Sequence, residues 1–209
     1  MSKPAADSPA VRAALDERRS RILCAAGRLL GHYGLRKTTV ADIARAAGVG
    51  VGSVYLVFDS KEAIVGALTR DRFEHVLAAM TAAAAASTEH GERIRAVLDA
   101  RTRAFGALEH GGHHARELLH FYCPSVEASW RRFREDERAL LGEVLRAGTQ
   151  AGAFAPGDAP TRASALLRAY AAFTPPHLYE LAAEARQSAL IALHALVLDG
   201  LRARPGSEG

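Results

Sequence analysis

Residues 39–58, TVADIARAAGVGVGSVYLVF, restrict the fold of this chain more than any other stretch. Thr39 suits a helix N-cap, because its hydroxyl can accept a bond from a free backbone N–H at the helix start. Asp42 follows three residues on, where a carboxylate suits the positive end of the helix dipole. Val40, Ile43, Ala44 and Ala47 recur at helical spacing and give the helix one apolar face. Gly48 ends it, since glycine accepts the left-handed conformation without a Cβ clash. A second short helix is expected over residues 51–58. Two short helices around a tight glycine turn are the layout of a helix-turn-helix.

Charge gathers around that motif. Residues 1–62 hold 10 of the 27 Lys and Arg but only 6 of the 23 Asp and Glu, so the whole formal net charge of +4 lies there and the remainder is neutral. Such an asymmetry is expected if this part meets a phosphate backbone and the rest does not. The 209 residues are 49% hydrophobic and 24% charged, as in ordinary globular chains. No apolar run reaches the ~18 residues of a membrane span, and residues 1–12 carry no apolar core of a signal peptide. Cys24 and Cys123 fall within helical patterns and read as two buried small hydrophobes in a reducing compartment. A cytoplasmic location and no membrane partner follow as expectations.

Helical periodicity organises the whole chain. Residues 1–15 form an expected disordered tail, with Pro4 and Pro9 among small polar residues. A first helix is expected over 16–32, with Ile22, Ala25, Ala26, Leu29 and Leu30 on one face. Residues 16–68 then make the helix-turn-helix domain and 69–204 a second helical domain. A long helix over 61–86 crosses that boundary. Further helices are expected over 92–108, 113–122, 125–150, 160–173 and 184–201. The last is apolar almost all round, and such a helix must be covered on two sides. The one before it carries an alanine strip, Ala165, Ala169 and Ala172. Both features point to a homodimer through about 160–173 and 184–201.

From residue 22 to 68 the chain resembles the N-terminal domain of the tetracycline-repressor-like, or TetR, family of transcriptional regulators. The resemblance rests on AAGRLLGHYG (25–34), TTVADIARAAGV (38–49), GSVYLVF (52–58) and SKEAIVGAL (60–68), in the family's order and spacing. It implies an all-α fold, with an N-terminal three-helix DNA-binding domain and a C-terminal helical domain for ligand binding and dimerisation. By the same resemblance, residues 51–58 form the recognition helix in the major groove. Tyr55, Lys61 and Thr39 match positions that meet backbone phosphate, and Val51, Ser53 and Gly50 lie where bases are read. Gly50 stands where the family often has Ser, which removes one hydroxyl from the base-reading end. Phosphate contacts position a protein on DNA, whereas base-edge contacts specify sequence.

The expected function is a DNA-binding regulator, a repressor released from an inverted-repeat operator in double-stranded DNA by a small hydrophobic or aromatic effector. Phe73, Leu77, Phe105, Leu118, Phe121, Tyr122, Trp130, Phe133 and Tyr170 are the candidate ligand-lining residues. The alternative is a constitutive dimeric DNA-binding protein without an effector. No Gly-rich phosphate loop, nucleophile elbow or carboxylate pair suggests an enzyme or a cofactor. His110, His113, His114 and His120 lie close together, but Gly111 and Gly112 interrupt any helix between His110 and His114. Without a completed ligand signature they are not read as a metal site.

Overall fold

The computed structural model describes residues 9–108, 114, 123–180 and 182–202. Among them the chain is helical, with α1 (Pro9–Tyr33), α2 (Val40–Ala47), α3 (Val51–Tyr55), α4 (Lys61–Ala86), α5 (His90–Ala107), α6 (Pro124–Gln150), α7 (Ala159–Ala169) and α8 (Ala183–Leu201). Single 3-10 turns at Ala171–Phe173 and His177–Tyr179 connect α7 to α8. α1 begins at Pro9, so residues 9–15 are helical and not tail. Proline suits a first helical turn, where its fixed φ is already helical and its missing N–H would have no partner. The helix expected over 113–122 lies, except for His114, outside the described residues.

The chain forms two compact units. The first takes residues up to 69, with 114 and 123–128; the second takes 70–108 and 129–202. The break after Thr69 falls beside the expected boundary, whereas 114 and 123–128, expected in the second domain, belong with the first. There, the backbone N–H of His114 donates to Gly31 O at 2.8 Å and its imidazole lies over Gly34. Cys123 is buried as expected; Cys24 is exposed, and its Sγ accepts from Arg28 Nη1 at 3.1 Å.

In the first unit α2 packs against α1 and α3. Ile22, Ala26, Leu30, Ile43, Val54 and Ile64 are buried to within 1% of their surface and form its core. In the second unit Met80, Ile94, Leu98, Phe105, Leu141 and Leu145 are buried as completely. Buried polar groups cross-link this core. His194 on α8 accepts or donates through both ring nitrogens, with Nδ1 at 2.6 Å from the Tyr170 hydroxyl and Nε2 at 2.9 Å from Asp99 Oδ1.

Four helices start on carboxylates held below their ordinary range by hydrogen bonds. Asp42 is lowered chiefly by the Thr39 hydroxyl, Glu62 by its own N–H and Ser60, Glu89 by the N–H groups of Glu92 and Gly91, and Asp158 by Thr161. A carboxyl depressed in the folded chain adds stability that is complete above its unfolded pKa and disappears as pH falls through its folded pKa. Acidification from neutrality to about pH 3 is therefore expected to lower the melting temperature progressively. An Asp42→Asn/Asp158→Asn variant should show a shallower acid slope; an unchanged slope would show that these caps do not set it.

Candidate nucleic-acid interface and ligand core

The helix-turn-helix forms as its sequence dictates. The Thr39 hydroxyl accepts from Asp42 N at 3.1 Å and Asp42 Oδ2 accepts from Thr39 N at 3.1 Å, completing a capping box. The same hydroxyl donates to Asp42 Oδ2 at 2.6 Å, so its proton is already engaged within the box. Gly48 closes α2 with φ 66°, and its N–H returns to Ala44 O and Arg45 O. That conformation is one a Cβ opposes.

α3 is shorter than the expected 51–58. It ends at Tyr55, and Val57 N and Phe58 N both bond Val54 O as the chain tightens into a turn. Gly50 lies at the N-cap and supplies no side-chain bond to the helix. Val54 is fully buried and anchors α3, while Phe58 is buried beyond it beneath the Arg19 guanidinium, 5.7 Å from the ring centroid. Val51, Tyr55 and Leu56 stand 42%, 51% and 77% exposed, and Ser53 is half-buried. One face of this short helix is therefore core, and the other displays the candidate base-reading and phosphate residues.

Lys61 has a task that its position in the sequence did not reveal. Its ammonium donates to Leu35 O at 2.9 Å and Thr38 O at 3.1 Å, and so ties the start of α4 to the connection between α1 and α2. An ammonium has three N–H donors, so one remains beyond these two bonds.

In the second unit four of the candidate ligand-lining rings come together. Phe73 lies 4.4 Å from Trp130, 4.9 Å from Phe133 and 6.3 Å from Phe105, centroid to centroid. Phe73, Phe105 and Phe133 are buried, whereas Trp130 and Leu77 are half-buried. Tyr170 is buried, with its ring beside Phe173 and His194. Leu118, Phe121 and Tyr122 lie outside the described residues, as do His110, His113 and His120. Among the described residues no group of His, Cys, Asp and Glu could hold a metal ion, and no helix is long and apolar enough to cross a membrane.

One turn along from the rings sits a buried ion pair that the periodicity argument passed over. Arg101 Nε donates to Glu137 Oε2 at 2.7 Å, with the two side chains only 3% and 4% exposed. The guanidinium lies 5.1 Å from the centroid of Phe105. Burial pushes the Glu137 carboxyl above its ordinary range, against the opposing charges of Arg101 and Arg134. The signal was present: Arg101 falls on the face of Val97 and Phe105, and Glu137 on that of Phe133 and Leu141. A charge at a core position of a helix demands a partner.

Comparison with known proteins agrees with this architecture. Residues 22–68 match the model of bacterial regulatory proteins of the tetR family. The chain is 32% identical over 148 residues to the HTH-type transcriptional repressor KstR2 of Mycobacterium tuberculosis, covering 68% of this chain and 72% of that protein. The structure of the ketosteroid transcriptional regulator KstR2 of M. tuberculosis superposes with a TM-score of 0.55 at 25% identity, over 90% of this chain and 96% of that one. The fatty acid degradation regulator FadR of Bacillus halodurans shares the fold, with a TM-score of 0.66 at 20% identity over 90% and 97% of the two chains. The expected all-α fold and the expectation of a regulator instead of an enzyme both hold, and the chain belongs to the TetR family of DNA-binding transcriptional regulators.

Proposed function

We propose that this protein is a repressor that binds an inverted-repeat operator as a two-fold dimer and leaves it when a small, largely hydrophobic ligand binds. The observation that carries the DNA-binding part is α3 itself, held to its core by Val54 while Val51, Tyr55 and Leu56 face outward in the most basic part of the chain. Val51 and Ser53 offer apolar and hydroxyl contacts to base edges, with Gly50 admitting close backbone approach; Tyr55 and Lys61 face phosphate, and Thr39 reaches it by turning its hydroxyl proton away from Asp42 Oδ2. With few polar base readers, recognition leans on thymine methyl contact and DNA shape. A dimer presents two recognition helices, which sets the half-sites about 34 Å apart or slightly more.

Support for the ligand comes from the aromatic cluster of the second unit and from relatives named for ketosteroid and fatty acid regulation. An apolar ring compound suits such a cluster better than a highly charged one. α4 starts at Lys61 and runs past Phe73 and Leu77, so it is the element through which ligand and DNA would influence each other. That coupling is reciprocal, and ~1–3 kcal/mol is typical. A thermal-shift screen of apolar ring compounds tests the effector; no response across the panel would favour the constitutive regulator.

The DNA contacts are tested by substitution. Tyr55→Phe is expected to weaken operator and unrelated DNA by the same factor, because phosphate carries no sequence information. Ser53→Ala and Val51→Ala should instead change preference at particular base pairs. Lys61→Met should flatten the salt dependence by about one unit of slope if its remaining donor reaches phosphate. A lowered melting temperature with an unchanged slope would confine Lys61 to bracing Leu35 and Thr38.

A further inference from the structure

Among the described residues, Arg101 Nη1 is buried and has no hydrogen-bond partner. Structures seldom leave a charged donor in that condition, because the lost hydration is not returned by any bond. The group is not misplaced, since Nε holds Glu137 at 2.7 Å and the guanidinium plane meets the Phe105 ring. It is held at Nε, with the two N–H groups of Nη1 left over, next to the ring that joins it to the aromatic cluster. Phe105 in turn lies 5.5 Å from Phe133 and 6.2 Å from Trp130. Trp130 is the half-buried member of the cluster, the one with an edge toward the surface.

We infer that Arg101 is the polar reader of the effector, donating from Nη1 to a neutral oxygen, a ketone or hydroxyl, carried on an apolar ring system that replaces the packing around Trp130. This deepens, and rests on, the reading of the protein as a ligand-released repressor. Neutrality follows from charge. Glu137 already balances Arg101, so a carboxylate ligand would add an uncompensated negative charge in a buried place. A ketone oxygen, with its two lone pairs, can accept from Nη1 without adding charge. Specificity comes from the same asymmetry, because a hydrocarbon of equal shape would leave the donor still without a partner.

The test uses three probes of one shape, 2-decalone, decalin and decalin-2-carboxylate, with the full chain titrated calorimetrically. The wild type is expected to bind the ketone roughly tenfold to a hundredfold more tightly than the hydrocarbon, the worth of one bond to a charged donor. Arg101→Met/Glu137→Leu removes the pair together and leaves no buried charge. It should retain its fold by circular dichroism, bind decalin at least as well as the wild type, and lose the preference for the ketone. Equal wild-type affinity for decalone and decalin would overturn the role of Arg101 while leaving a hydrophobic effector intact. Carboxylate bound more tightly than ketone would overturn the neutral oxygen. Binding of no probe would reject the inference and count against the ring-ligand reading as well.

Discussion

Leu196→Glu combined with Ile191→Glu is expected to turn a two-chain species into single chains. Within one chain Leu196 is 72% exposed and Ile191 59%, so neither carboxylate disturbs that chain's own core. In the proposed dimer a second copy would cover these side chains of α8. On α7 Ala165 and Ala169 are exposed, as is Ala172 in the turn that follows it. If a second copy covers these faces, each glutamate becomes a buried charge without a counterion, at a cost of several kcal/mol. About 4 kcal/mol corresponds to a thousandfold rise in dissociation constant. Sedimentation should show the wild type at twice the single-chain mass at micromolar concentration and the variant at the single-chain mass with an unchanged helical spectrum. Operator affinity should fall with it, because two tethered half-site contacts become independent. A wild type of single-chain mass would remove the dimer.

Breaking one side of the Arg101–Glu137 pair should be among the most damaging single changes to stability. Glu137→Leu leaves the guanidinium buried and uncompensated, and Arg101→Met does the same to the carboxylate. Either is expected to cost about 3–5 kcal/mol, whereas the double replacement should be close to neutral. Denaturant unfolding of the two single variants and the double variant measures this non-additivity directly. The pH dependence has a definite sign. Burial raises the Glu137 carboxyl above its unfolded value, so its contribution is largest below that unfolded value and is lost as pH rises through the raised one. This runs opposite to the helix caps, whose carboxyls are lowered. Glu137→Gln should therefore weaken the decline on the alkaline side while leaving the acid slope intact.

What the sequence made legible was what depends on neighbours in the chain. The capping box of Thr39 and Asp42, the stop at Gly48 and the apolar faces of α2 and α5 are local or periodic, and each forms where the residues place it. What stayed hidden depends on residues distant in sequence. Lys61 lies at a helix start like many lysines, and nothing local shows that Leu35 and Thr38 would claim two of its donors. Arg101 and Glu137 meet only once α5 and α6 lie together. The early start of α1 escaped because Pro9 resembles a tail residue as readily as a first helical residue. The shortness of α3 escaped because Leu56 and Val57 continue an apolar pattern that the backbone itself abandons.

The Tyr170–His194–Asp99 chain has a fixed polarity. A carboxylate can only accept, so His194 Nε2 must carry a hydrogen toward Asp99. In the neutral ring Nδ1 is then bare, and the Tyr170 hydroxyl must donate to it. Burial, with the charge of Asp99, raises the Tyr170 phenol well above its ordinary value, which keeps that donor proton in place. Every hydrogen in the chain therefore points the same way, from the end of α7 through α8 to α5. The junction of these three helices is thus a relay with one sense of donation, and its far end is the carboxylate, which has no hydrogen to return.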